Sequence, residues 1–273
     1  SGLFVDATRG VFVVADRGNH RLIRFEASGR CRGSITFEAL SPGEAPREPS
    51  SLASDSEGRL FVVDAGEPRV RVMTSRGSAL GFLEPPLPEA SRSRPQAMAI
   101  GESGSIYVLY GGAQGGVVVM DRAGRTREGG GFLPNVESVS SAVSLAVNEA
   151  AGVMVIVSPN AKKQVRLCAL DGRLLSEFGT HGEGDGTFSM ANHAAWGPRN
   201  TVWITDTIRH SISVFDSRGS FLGRIGGFGR GPGQFSYPVA CGFLGDMPPD
   251  LSQVHPIDPG STARVRQSGG DSR

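Results

Sequence analysis

The chain has 273 residues, of which 38% are hydrophobic and 20% charged, so a sizeable core is available and wholesale disorder is excluded. Its formal net charge of +1 gives no global pull toward nucleic acid or an acidic membrane surface. Glycine (39) and proline (17) together exceed a fifth of the chain while aromatics make up 7%, a composition of short strands joined by many tight turns.

In chain order, a short strand GLFVDA (2–7) precedes the stretch VFVVADRGNHRLIRFEASG (11–29). That stretch is an apolar strand, a polar turn, a second apolar strand and a turn ending in glycine, which predicts a β-hairpin. SLASDS (51–56) then leads into LFVVDAGEPRVRVMTSRG (60–77) and SALGFL (78–83). AMAIGE (97–102) precedes IYVLYGGAQGGVVVMDRAG (106–124), and AVSLAV (142–147) precedes VMVIVSPNAKKQVRLCALDG (153–172) with LLSEFG (174–179) after it. The last full copy is HAAWGP (193–198), VWITDTIRHSISVFDSRG (202–219) and SFLGRI (220–225). Four strands per unit at a period of about 45–50 residues predict an all-β fold, a β-propeller of four-stranded blades. A lone four-stranded sheet cannot bury both faces, whereas radial stacking lets each blade cover its neighbour.

Five repeats fall near 2–50, 51–96, 97–141, 142–191 and 192–238, followed by one more inner strand, VACGFLG (239–245). The expected domain is therefore 1–246, with 247–273 as a flexible Pro-, Ser- and Gly-rich tail. Because the chain opens at Ser1 directly in strand-like sequence, an upstream segment is expected to supply three strands that meet 239–245 and complete a sixth blade, the competing reading being a five-bladed ring or an open array.

The turn-flanked stretch Ala15-Asp16-Arg17-Gly18-Asn19-His20-Arg21-Leu22-Ile23-Arg24-Phe25 resembles the NHL repeat, and Thr205 to Phe215 resembles it nearly as well. The second copy keeps Asp64 and Arg69 but has Glu67-Pro68 in place of Asn-His; the third and fourth put Tyr110 and Ser158 where the aspartate belongs. The resemblance implies a propeller, usually of six blades, and resembles in particular the C-terminal propeller of tripartite-motif proteins. There an upstream RING domain transfers ubiquitin and the propeller recruits the target. It thus implies a non-catalytic platform for a protein partner in a cytoplasmic setting, with any ligase activity outside this sequence. The same resemblance leaves two alternatives, an RNA-binding propeller and a metal-dependent lyase or hydrolase.

The candidate sites are weighed against plainer roles. The stretch GGFGRGPGQFSYP (226–238) has the glycine density of a phosphate loop, but no helix is predicted after it, and GTHGEGDGTF (179–188) is its twin one repeat earlier. Both read as connectors between blades, and no nucleotide cofactor is expected. Glu183 and Asp185, with His181 nearby, lack the order of a calcium loop. His20 and His210 occupy matching repeat positions four residues after Asp16 and Asp206, which points to a shared turn-forming job; His193 stands alone on an inner strand. Cys31, Cys168 and Cys241 are too scattered for a zinc site or a disulfide framework and suit a reducing compartment. No catalytic constellation, metal site or cofactor is expected, and no membrane span. One pattern remains: Arg21 and Arg69 share an offset, with Lys162, Lys163 and Arg166 in the fourth repeat, Arg209 in the fifth, and Arg230 on the last connector. Repeat geometry puts such residues on one face, where they would meet a protein or the phosphates of RNA.

Overall fold

The computed structural model describes residues 2–6, 9–36, 48–65, 67–84, 94–112, 115–126, 132–133 and 141–244. Five four-stranded antiparallel sheets form a β-propeller, each sheet made of strands consecutive in the chain. Blade 1 holds β1 (Leu3–Asp6), β2 (Val11–Asp16), β3 (Arg21–Glu26) and β4 (Cys31–Thr36). Blade 2 holds β5 (Pro49–Ser54), β6 (Leu60–Asp64), β7 (Val70–Met73) and β8 (Ala79–Leu83). Blade 3 holds β9 (Pro95–Ile100), β10 (Ile106–Tyr110), β11 (Gly116–Met120) and a two-residue β12 (Phe132–Leu133). Blade 4 holds β13 (Ser144–Asn148), β14 (Val153–Val157), β15 (Val165–Ala169) and β16 (Leu174–Phe178). Blade 5 holds β17 (Ala191–Gly197), β18 (Thr201–Asp206), β19 (Ser211–Phe215) and β20 (Phe221–Gly226). The four-strand repeat read from the sequence is therefore the blade, and its first strand is the inner one: β1, β5, β9, β13 and β17 neighbour one another in that order.

Three inner strands begin two residues earlier than the sequence pattern suggests. Two of them, β5 and β9, open on Pro49 and Pro95. A proline cannot donate to the ladder, but the first strand position needs no donor, and a register shift directly follows each one.

The core is a series of apolar layers between blades. Val13, Ala15 and Leu22 of blade 1 meet Leu52, Leu60, Val62 and Met73 of blade 2. The opposite face of blade 2, with Phe61, Val63 and Val70, meets Ile106, Val108 and Met120 of blade 3. The period-2 alternation of the middle strands sorts their side chains into these two layers, which is why second strands such as LFVVD of β6, IYVLY of β10 and VMVIV of β14 run apolar over consecutive positions instead of alternating with polar ones.

Strand direction fixes the two ends of the ring. The turns between second and third strands and the connectors from outer to inner strands all lie at one end, called here the connector face. Residues 239–244 form no strand pairing among the described residues, yet they run between blade 5 and blade 1: the Cys241 N–H reaches His193 Nδ1 at 3.5 Å, while Gly242 packs against Val5 and Leu3. The proposed tail, 247–273, lies outside the described residues.

Candidate functional site on the connector face

All seven predicted basic residues lie at or beside the connector face, as the repeat geometry requires. Four of them are committed to the protein itself. Arg21 Nε donates to Asp16 at 2.8 Å, closing the blade 1 turn. Arg69 pairs with Glu67 at 3.2 Å and Glu84 at 3.4 Å, its guanidinium 3.7 Å from the centre of the Phe82 ring. Arg166 lies 3.5 Å from Glu177 on the neighbouring strand. Arg209 is mostly buried and donates to the Thr187 carbonyl at 3.0 Å and to Ser189 Oγ at 3.2 Å. Lys162, Lys163 and Arg230 make no ion pair among the described residues, and Lys162 and Arg230 are exposed. The basic set is thus three cations and four structural arginines rather than a ring.

The repeat aspartate explains Arg209. The Asp206 carboxylate accepts from the backbone N–H of Ser189 (2.7 Å), Met190 (3.1 Å) and Arg209 (3.1 Å), so one side chain ties the incoming connector to its own hairpin turn. Asp64 does the same for the N–H of Glu48 in blade 2. Where the repeat loses the aspartate the tie is lost too: the Tyr110 hydroxyl and Ser158 Oγ are buried with no hydrogen-bond partner among the described residues. His20 and His210 share the turn-forming job expected of them, both taking left-handed backbone conformations (φ 51° and 55°) that end the hairpin turn.

His210 also anchors the connector that follows its blade. Its Nδ1 accepts from the Tyr237 N–H at 2.9 Å, and its ring lies 4.8 Å from that of Phe228 and 4.5 Å from that of Tyr237. The connector 227–238 is pinned beneath this point by Phe235, whose ring fills the space above Gly226. Phe228 is left 69% exposed and Tyr237 61%, with Ile208 of the adjoining turn at 55%. Arg230 follows two residues after Phe228. A cluster of two exposed aromatic rings around a histidine, next to an exposed isoleucine and an unpaired arginine, is the composition of a protein-binding hot spot. Sequence reasoning found Arg230 and missed Phe228, Tyr237 and His210 as a unit. The available signal was the one-repeat offset between the connectors, which sets Phe228 where the twin has His181 and so turns a polar tip into an aromatic one.

The ring axis holds a cavity of about 490 Å³ lined by the inner strands. Its polar groups include Ser51, Gln96, Asn192 and His193, with Arg17 at the rim paired to Glu48, and no carboxylate is among its described lining residues. Burial pushes the His193 imidazole down to about 4, so it is neutral at pH 7. Among the described residues no group of three or more His, Cys, Asp or Glu side chains is placed to hold a metal ion. The described residues also include no helix long and apolar enough to cross a membrane.

No protein-family model matches the chain, and no curated protein matches it. Solved structures do match in fold. The chain is similar to a propeller in a nidogen/laminin complex, at 15% identity with a TM-score of 0.61, covering 82% of this chain and 78% of the other. It is also similar to a gluconolactonase from Xanthomonas campestris (16% identity, TM-score 0.63, covering 89% and 78%). A third similar structure is regucalcin, a calcium-binding protein from Agrobacterium tumefaciens (14% identity, TM-score 0.60, covering 82% and 72%). At these identities the likeness is one of fold, and it identifies the chain as a β-propeller.

Proposed function

We propose that this propeller is a non-catalytic binding platform whose partner is a protein, met on the connector face of blade 5. The observation that carries this reading is the exposed Phe228–His210–Tyr237 cluster with Arg230 beside it. The rings are held by backbone contacts rather than left on a loose loop, so their binding surface is preorganised and little side-chain entropy is lost on contact. A similar propeller in a nidogen/laminin complex is compatible with such a use of the fold. The narrower role of target recruitment for a tripartite-motif ubiquitin ligase rests on the NHL-like residues Ala15–Phe25 and Thr205–Phe215 alone. RNA binding is disfavoured by the internal pairing of Arg21, Arg69, Arg166 and Arg209, which leaves few cations free for phosphates.

The test is affinity capture with the folded wild-type chain beside two double variants, Phe228→Ser/Tyr237→Ser and Lys162→Ala/Lys163→Ala. The aromatic variant is expected to lose a protein that the lysine variant retains, with at least a tenfold weaker Kd once that protein is purified. An unchanged partner set overturns the reading. Recovery of RNA, lost with the lysine variant and at high salt, reverses it in favour of RNA.

A second reading has its own support in the axial cavity, its neutral His193, and the likeness to a gluconolactonase and to regucalcin. It is small-molecule hydrolysis at the ring axis. The lack of a carboxylate among the described lining residues does not suit a calcium-dependent version. Lactone hydrolysis by the purified chain that disappears on His193→Ala would establish this reading over the first.

A further inference from the structure

Blade 1 departs from the other four blades in its wall toward blade 2. Val13 and Arg24 are cross-strand partners on β2 and β3, so their side chains stand on the same side of the sheet, the side facing blade 2. The pair at this position is Phe61 and Val72 in blade 2, Tyr107 and Val119 in blade 3, Val155 and Leu167 in blade 4, and Trp203 and Val214 in blade 5. Those eight side chains are 8% exposed or less, because each pair plugs a seam. In blade 1 the apolar residue of the third strand has become an arginine. The second-strand position, an aromatic ring in three of the other blades, holds only a valine.

The exchange leaves space. A cavity of about 400 Å³ lies in the seam between blades 1 and 2, at the end of the ring opposite the connector face. Buried Val13 and Leu60, with half-buried Phe4 and Val11, give it an apolar lining. Arg9, Arg24 and Arg32 line the same cavity. Two of these arginines span the seam to turns of blade 2: Arg9 donates to the Ser56 carbonyl at 3.2 Å, and Arg24 donates to the Ser75 carbonyl. For Arg24 that bond uses one N–H of a guanidinium that carries five.

The charges around the cavity are unevenly matched. Arg9 pairs with Asp6 at 2.8 Å and Arg32 with Glu26 at 2.5 Å. Glu57, which lines the cavity with Asp6, lies 3.6 Å from Arg59. Arg24 has no ion pair among the described residues, so its charge faces an apolar pocket without a counter-ion from the protein.

We propose that this seam pocket binds a small organic monocarboxylate, its carboxylate on the Arg24 fork and its apolar body against Phe4, Val11 and Val13. One unmatched cation specifies one negative charge, and a planar guanidinium suits two parallel N–H···O bonds to a carboxylate. The apolar lining specifies the body, since a bare anion would leave that surface in water. The inference is independent of the connector-face reading, because none of these residues belongs to the aromatic cluster and the pocket opens at the other end of the ring.

The probe is octanoate, titrated into the folded full chain and followed by amide chemical shifts, with acetate and octanamide as controls. Octanoate is expected to shift the amides of Val11, Gly58 and Ser75, with a Kd about tenfold or more below that of either control. Arg24→Val installs the residue that blades 2, 3 and 5 carry at this position, so the seam stays packed while the cation is lost. It is expected to weaken octanoate about tenfold or more. Val13→Phe keeps the cation and fills the space with the ring found in blade 2, and it is expected to do the same. Should Val13→Phe fail to fold, Arg24→Val decides alone. Octanoate shifts centred on the axial strands or on 239–244, or an unchanged Kd in Arg24→Val, overturn the proposal. Acetate binding as tightly as octanoate reduces the site to a simple anion contact, and octanamide binding as tightly removes the role of Arg24; either result also overturns it.

Discussion

His193 is one residue through which pH acts on the fold. It stands on β17 with part of its surface open to the axial cavity, but the surrounding protein depresses its imidazole to about 4, against about 6.5 for a free histidine. Between those values the unfolded chain binds a proton that the folded chain refuses, so stability falls as pH falls through this window and levels off below it. The full shift corresponds to about 3 kcal/mol, and access of water along the cavity reduces it to roughly 1–2 kcal/mol. Cys241, whose N–H faces the imidazole, contributes no compensating charge, because burial pushes its thiol up to about 12. Unfolding free energies from urea titrations at pH 7.5 and 4.5 are expected to differ by this amount more in the wild type than in His193→Asn. Parallel pH profiles for the two proteins would mean that the imidazole is solvated. The residue was legible in the sequence as a solitary histidine on an inner strand. Its environment was not, because that depends on residues 239–244 crossing from the far end of the chain to lie beside it.

At the scale of the element, the glycine-rich connectors show why a phosphate-loop composition is used without a phosphate. Gly179 and Gly226 each sit where an outer strand ends, at φ 79° and 102°, and each lies directly under the phenylalanine that follows nine residues later. A Cβ at Gly226 would stand 2.5 Å from the Phe235 ring, and one at Gly179 would collide with Phe188. The glycines are there for left-handed backbone and for the approach of a ring, and the ring is what pins the connector to the blade. Gly179→Ala is therefore expected to destabilise by about 2–4 kcal/mol, while Gly184→Ala in the same connector, with open space around it and no positive φ, stays within about 0.5 kcal/mol. Chemical denaturation of the two variants decides it, and equal midpoints would remove the account. The hairpins were readable because alternation of apolar residues and turn glycines is local information. The twin connectors were readable as connectors because they repeat. The exposure of Phe228 and Tyr237 was not readable, since it depends on the path taken around His210, and neither was the capture of Arg209 by Thr187 and Ser189, twenty residues or more away in sequence.

For the whole molecule, stability should be graded around the ring. In a stacked array each unit is held by its own contacts and by its interfaces with neighbours, so a unit with one interface missing opens first. Blades 2, 3 and 4 are covered on both sides, and blade 5 is covered on its far side by Phe235, Cys241 and Phe243. Blade 1 alone among the described sheets has a face in which Phe12, Val14 and Phe25 stay partly open, and its outer strand is exposed from Cys31 to Ser34. Sequence gives no hint of this: VFVVA of β2 is as apolar as the buried LFVV of β6, and only the missing neighbour separates them. Leaving between about a tenth and a third of two phenylalanines and a valine in water forgoes about 2–3 kcal/mol of burial relative to a covered blade. Local opening of blade 1 is accordingly cheaper by a similar amount, which is a factor of about 30 to 100 in its equilibrium constant. Native-state hydrogen exchange should show amides of β2 and β3 exchanging faster by that factor than those of β14 and β15 at the same positions in blade 4. Uniform protection across the two blades would mean that the apolar face of blade 1 is already covered in solution, and labelling of Cys31 under the same conditions would then report it as closed.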